Sequence, residues 1–235
     1  MSDAYAIESS VLYRIMNAEV KSWPFPHFFV PDVFPPDAYR RLIAELPADS
    51  AYSAMGEHGT VGRASYKERL ILSLERGGEG ISERWRELAG WMLGDRFTMA
   101  MLKKFLPFMR KQWGDALPEK RVTKDARLVR DFTHYALSPH TDMREKALAF
   151  LFYLPEDTRH SHLGTSVYVP NDPGFHCPGG PHHPREGFTR LFTTPYQPNA
   201  LFGFVRTDHS FHGVEPVTDA DARRDLLLYN LYLLD

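Results

Sequence analysis

Three side chains carry the chemistry of a metal centre. The run SPHTD sets His140 and Asp142 two residues apart, just ahead of the apolar segment KALAFLFYL, and the run HSFHGVEPV supplies His212, 70 residues after Asp142. Residues i and i+2 of a strand project from the same face, so a strand end or the adjoining turn can aim His140 and Asp142 at one ion. His212 then arrives from a second strand. Two neutral imidazoles and one carboxylate are the donor set of a facial iron(II) site with positions left open for oxygen chemistry. Arg223 and Arg224 open the last apolar segment, RRDLLLYNLYLL. An arginine there suits a co-substrate carboxylate, because a guanidinium offers a forked pair of N–H groups and a permanent charge.

The elements that must position these residues fall in two halves. Residues 1–120 read mostly as helix with loops. In VFPPDAYRRLIAELP the prolines suit a helix start, Tyr39, Leu42, Ile43 and Leu46 recur at helical spacing, and Pro47 stops the segment. A second helical region runs from Ile81 to Phe105, with Trp85, Leu88 and Met92 on one side and Gly90 and Gly94 arguing against a single unbroken helix. Residues 121–235 read as short strands between turns: ARLVRDFTHYAL, KALAFLFYL, GTSVYVP, FTRLFTT, NALFGFV, SFHGVEPV and RDLLLYNLYLL. KALAFLFYL is apolar enough for burial on both faces. PNDPGFHCPGGPHHPREG, rich in Pro, Gly and His, must be a loop and has the character of an active-site lid. The pattern predicts a mainly β protein with a helical N-terminal part, its core a sandwich or barrel such as a jelly roll.

Bulk properties narrow the function classes. A net charge of −2 with interspersed charges gives no electrostatic reason for a nucleic-acid or membrane partner. The single cysteine, Cys177, allows no internal disulfide, and MSDAYAIESS lacks a basic region followed by an apolar core; a cytoplasmic location is the expectation. At 235 residues, a single catalytic domain is expected, with residues 1–120 as helical lead-in and support and 121–235 as the core that carries the metal.

Taken in order, SPHTD with its following apolar strand, GTSVYVP, and HGVEPVTDADARRDLLLYNLYLL resemble the iron(II)/2-oxoglutarate-dependent dioxygenases, in their prolyl-hydroxylase-like branch. PFPHFFVPDVFPPDAYRRLIAELP is similar to the helical lead-in of such enzymes. The resemblance implies a double-stranded β-helix core (jelly roll, cupin-like) packed against helices. It implies His140, Asp142 and His212 as ligands of Fe(II), with 2-oxoglutarate and O2 as co-substrates. The product pair is succinate and CO2, and an unactivated C–H is hydroxylated. His212 is favoured over His209 because Gly213-Val214-Glu215-Pro216-Val217 follows it as in the family. Arg223 matches the residue that pairs with the distal carboxylate of 2-oxoglutarate. Family members often read Arg-x-Ser there, but this chain has Asp225 at the Ser position, so Arg224 is the other register. Related halogenases hold a small residue where this chain has Asp142, so oxygen transfer is expected.

The substrate is less legible. Arg69, Arg130, His134 and Tyr135 are candidates to line its site, as is Arg63, and each also has an ordinary structural reading. His176, Cys177, His182 and His183 lack the paired spacing of a zinc site. A compact domain with a long closing loop favours a small polar metabolite, an amino acid or natural-product intermediate. The alternatives are a peptide or protein prolyl-type hydroxylase and a non-oxidative cupin-like isomerase or binding protein; the arginine beyond His212 argues against the last.

Overall fold

The computed structural model describes residues 3–55, 68–75 and 80–235. The strands make two antiparallel sheets. Eight of them form the core: β4 (Arg121–Phe132), β5 (Leu137–His140), β6 (Lys146–Tyr153), β7 (Ser166–Pro170), β8 (Phe188–Thr193), β9 (Ala200–Val205), β10 (His212–Val214) and β11 (Arg223–Leu234). One sheet holds β9-β6-β11-β4 and the other β5-β10-β7-β8. The chain passes between them repeatedly, which is the winding of a jelly roll.

Three N-terminal strands extend the first sheet. β1 (His27–Val30) pairs with β9, β3 (Arg69–Ser73) pairs with β4, and β2 (Ser53–Ala54) lies outside β3. The expectation of a mostly helical first half therefore misses these strands. HFFV and RLILS are too short for periodicity to distinguish strand from buried helix.

Four helices cover the outer face of the larger sheet: α1 (Asp3–Asn17), α2 (Pro36–Ala44), α3 (Glu83–Met92) and α4 (Asp95–Trp113). The region read from Ile81 to Phe105 is two helices. Gly94 stands between them in extended backbone and serves as the N-cap of α4. Trp85, Met92, Phe97, Met101 and Phe105 pack on Phe150, Phe152, Leu227, Tyr229 and Leu231 of β6 and β11. The opposite faces of the same strands carry Ala149 and Leu226 into a second cluster between the sheets, with Val129, Phe204 and Val214. Burial on both faces explains why KALAFLFYL and LLLYNLYLL read as nearly continuous apolar runs. It also fixes which residues of β11 look inward, since a one-residue slip would exchange its two faces.

ARLVRDFTHYAL is not one strand. β4 ends at Phe132, and His134 turns the chain with a φ of 72°, so that β5 begins at Leu137 in the other sheet. That crossing delivers His140 to the mouth between the sheets.

Candidate active site

His140 and His212 face one another because β5 and β10 pair antiparallel with these two residues opposite. Their rings lie 4.4 Å apart, centroid to centroid. The register shifts between His212 and Val214, a bulge that re-aims a side chain at a sheet edge. Gly213 permits it: a Cβ there would lie 2.3 Å from the Leu137 carbonyl oxygen. Asp142 follows β5 by two residues, and its Oδ2 lies 3.8 Å from His212 Nε2. The three donor atoms all fall within 4.8 Å of one another, and no other such group occurs among the described residues.

The hydrogen bonds set each donor's state. His140 Nδ1 lies 3.0 Å from the Ser138 carbonyl oxygen, and His212 Nδ1 2.9 Å from that of Ser210. A carbonyl can only accept, so each Nδ1 carries the proton and each Nε2 presents a lone pair to the centre. Burial pushes both imidazoles below their ordinary value, and for His140 the neighbouring His212 adds to the effect. Burial alone would raise the Asp142 carboxyl. The Lys146 ammonium, 3.1 Å from Oδ1, and then the two histidines outweigh it and hold the group at about 2. Oδ2 of Asp142 is buried with no hydrogen-bond partner among the described residues. A buried carboxylate oxygen left bare is costly. Beside two inward lone pairs, it fits a cation.

The triad lines a cavity of about 390 Å³ between the sheets, within the range of roughly 300–1,000 Å³ common for small-molecule sites. Arg224 lines the same cavity and is fully buried. Its Nη1 donates to Asp131 Oδ2 at 2.6 Å and its Nε to the Leu163 carbonyl at 2.5 Å. Its Nη2 has no partner among the described residues. Arg69 grips the same Asp131 with Nε and Nη2, at 2.6 and 2.9 Å, and stacks over the Tyr135 ring at 4.3 Å. The pleat of β11 turns Arg223 to the other face, where its side chain is 48% exposed and donates to Asp225 at 2.7 Å. Asp225 also takes Arg130 Nε at 2.7 Å, which resolves the misfit of an aspartate near a bound dicarboxylate: it points away from the cavity. In the Arg224 register, Leu226 occupies the Ser position and lines the cavity.

Of the substrate candidates, Arg69 lines the cavity and Tyr135 lies under it. Arg130 is bound to Asp225, Asp49 and the Pro47 carbonyl, outside the cavity, and His134 is exposed in the turn after β4. Arg63 lies outside the described residues. His209 and His176 are exposed, while Cys177 is buried with its backbone N–H on Asp208. The Pro/Gly/His loop forms one wall of the cavity. His182 stacks on His140 at 4.3 Å, His183 N–H bonds the Pro139 carbonyl, and Thr141 Oγ1 donates to the Cys177 carbonyl. Asp131 and Lys146 escaped sequence reading, although Lys146 stands four residues after Asp142. Asp131 had no signal, because its partners come from distant strands.

No family model matches this chain, and no curated protein matches it. Solved structures do. A prolyl-4-hydroxylase from Pseudomonas putida is similar at a TM-score of 0.52 and 14% identity, covering 95% of this chain and 97% of its own. A prolyl hydroxylase from Trichoplax adhaerens, in complex with a hypoxia inducible factor oxygen degradation domain peptide fragment, is similar at 0.52 and 11% identity, covering 95% and 88%. An oxidoreductase of the 2OG-Fe(II) oxygenase family from Burkholderia pseudomallei is similar at 0.50 and 10% identity, covering 88% and 84%. At such identities the likeness is one of fold. No helix among the described residues is long and apolar enough to cross a membrane.

Proposed function

We propose that this chain is an iron(II)- and 2-oxoglutarate-dependent oxygenase that hydroxylates an unactivated C–H of a small polar metabolite. One observation carries the reading: a triad of two buried histidines and an aspartate with a bare, buried oxygen shares its cavity with a buried arginine that has a free donor. His140, Asp142 and His212 hold the metal. Arg224 Nη2 takes the distal carboxylate of 2-oxoglutarate, while Arg69 and Asp131 keep its guanidinium oriented. When bound, iron(II) and 2-oxoglutarate supply oxidation by dioxygen, yielding succinate, CO2 and a hydroxylated substrate. The chain's own task is to orient and to exclude water, and Phe204, Val214 and Leu226 give the cavity its apolar walls.

The small-metabolite reading rests on enclosure: Gly180 and His182 bring the loop into the cavity wall. A peptide hydroxylase is the alternative. Anaerobic titration of the iron(II)-loaded protein with 2-oxoglutarate should produce a visible absorption band, and aerobic turnover with free amino acids should release succinate. Absence of any 2-oxoglutarate-dependent band overturns the oxygenase reading, and succinate release with peptides alone overturns the choice of substrate.

A further inference from the structure

The cavity has a second polar group that neither the metal nor the co-substrate role uses: Arg127 of β4 and Asn230 and Tyr232 of β11. Behind them stands Asp125, buried on β4. Its carboxylate accepts from Arg127 Nη2, Asn230 Nδ2 and the Tyr232 hydroxyl, each at 2.7 Å. Three donors satisfy that carboxylate and fix the groups around it. The Arg127 side chain makes no other hydrogen bond among the described residues and is 42% exposed. Lys146 spends one of its N–H groups, on Asp142.

Charge gives the cavity a preference. Among the described residues, the charged side chains lining it are the cations Arg69, Arg127, Lys146 and Arg224 and one carboxylate, Asp142. Iron(II), Asp142 and dianionic 2-oxoglutarate together leave one negative charge, which the Arg69–Asp131–Arg224 group cancels. Arg127 and Asp125 cancel one another. Lys146 remains as unbalanced positive charge in the cavity among the described residues. The two cationic ends are separate. Arg127 lies opposite Leu228, four residues along β11 from Arg224, or roughly 13 Å at strand rise.

Building on the oxygenase reading for the metal's place, we propose that Arg127 is the carboxylate-binding residue for the primary substrate. The substrate class is then a small molecule with a free carboxylate, held so that a neighbouring C–H faces the metal. A guanidinium with unspent forked donors suits that group, and the surplus positive charge of the cavity disfavours a neutral analogue.

The test uses protein loaded with Mn(II) and saturating 2-oxoglutarate, which occupies the Arg224 end. Water-proton relaxation and calorimetry then follow titration with amino acids, hydroxy acids and aryl carboxylic acids, each beside its methyl ester, and with matched phosphate monoesters. At least one acid should bind tenfold or more tighter than its ester. Arg127→Met should weaken that acid at least tenfold, and Arg127→Lys by less, while 2-oxoglutarate affinity stays within twofold in both. Asp125 keeps Asn230 and Tyr232 as partners in either variant, so the fold should survive; equal circular dichroism and 2-oxoglutarate binding verify it. The proposal is overturned if no acid binds, if esters bind as well as acids, if only phosphates bind, or if Arg127→Met binds acids like the wild type. Failure of 2-oxoglutarate to bind at the outset instead overturns the oxygenase reading.

Discussion

Replacing Arg224 with Met tests the assignment of the co-substrate arginine most sharply. Arg224 contributes one free donor, Nη2, to the cavity from a fully buried guanidinium. A charge-assisted hydrogen bond of this kind is worth about 1.5–3 kcal/mol, or roughly 10- to 150-fold in affinity. The substitution leaves Asp131 with both bonds from Arg69, so no buried carboxylate is stranded and the fold should persist. Arg223→Met removes a half-exposed pair with Asp225 on the other face, an interaction worth about 0–1 kcal/mol. Calorimetric titration of 2-oxoglutarate into Mn(II)-loaded protein should therefore show a loss of about 10- to 150-fold for Arg224→Met. For Arg223→Met the change should be under about twofold, since it is not among the residues that line the cavity. A tenfold loss in Arg223→Met with Arg224→Met unaffected would refute the argument from the pleat of β11.

Three further outcomes are expected. Gly213→Ala forces a Cβ to within 2.3 Å of the Leu137 carbonyl oxygen; overpacking of this kind costs about 1–3 kcal/mol, and thermal melts should fall together with metal affinity, whereas an unchanged melt removes the close approach of β10 to β5. Phe150→Ala opens a hole between β6 and α4 and should cost about 3–5 kcal/mol in denaturant unfolding, while the Kd for Mn(II) stays within a few-fold. His27, His140 and His212 are all held below the ordinary 6.5 by burial. The unfolded chain thus takes up protons near 6.5 that the native protein refuses, so metal-free protein should lose stability as pH falls through that value and hold a plateau above it. Melting temperatures that are flat or rising from pH 7.5 to 5.5 contradict this.

Legibility followed the range of the interaction that decides each feature. The strands of the C-terminal half could be read because alternation, turn residues and β-branched or aromatic content are local properties. That the helix breaks was visible for the same reason, but not where: Gly90 lies inside α3, and the break is at Gly94. The turn at His134 was not, because its left-handed backbone is held by a bond from His134 N–H to Val217, far along the chain. The short strands β1 and β3 were hidden as well. Each is a strand because an edge of the sheet accepts it, β9 for one and β4 for the other.

The candidate site divides in the same way. His140, Asp142 and His212 were identifiable as a donor set from their types, their order and the runs that flank them, since ligand chemistry is carried by residue identity. Arg223 and Arg224, adjacent in the sequence, differ only in the face of β11 from which they project. That face is set by packing: Leu227, Tyr229 and Leu231 bury against the helices, which leaves Arg224, Leu226 and Leu228 to the cavity. Asp131 and Asp125 matter because strands far apart in the sequence bring partners to them, Arg69 and Arg224 to the first and Asn230 and Tyr232 to the second. The sequence by itself determined which donor groups and charges this chain carries and in what order. Only the tertiary structure decided which of those charges face the donors, because a side chain's direction and partners follow from strand register and burial and not from local composition.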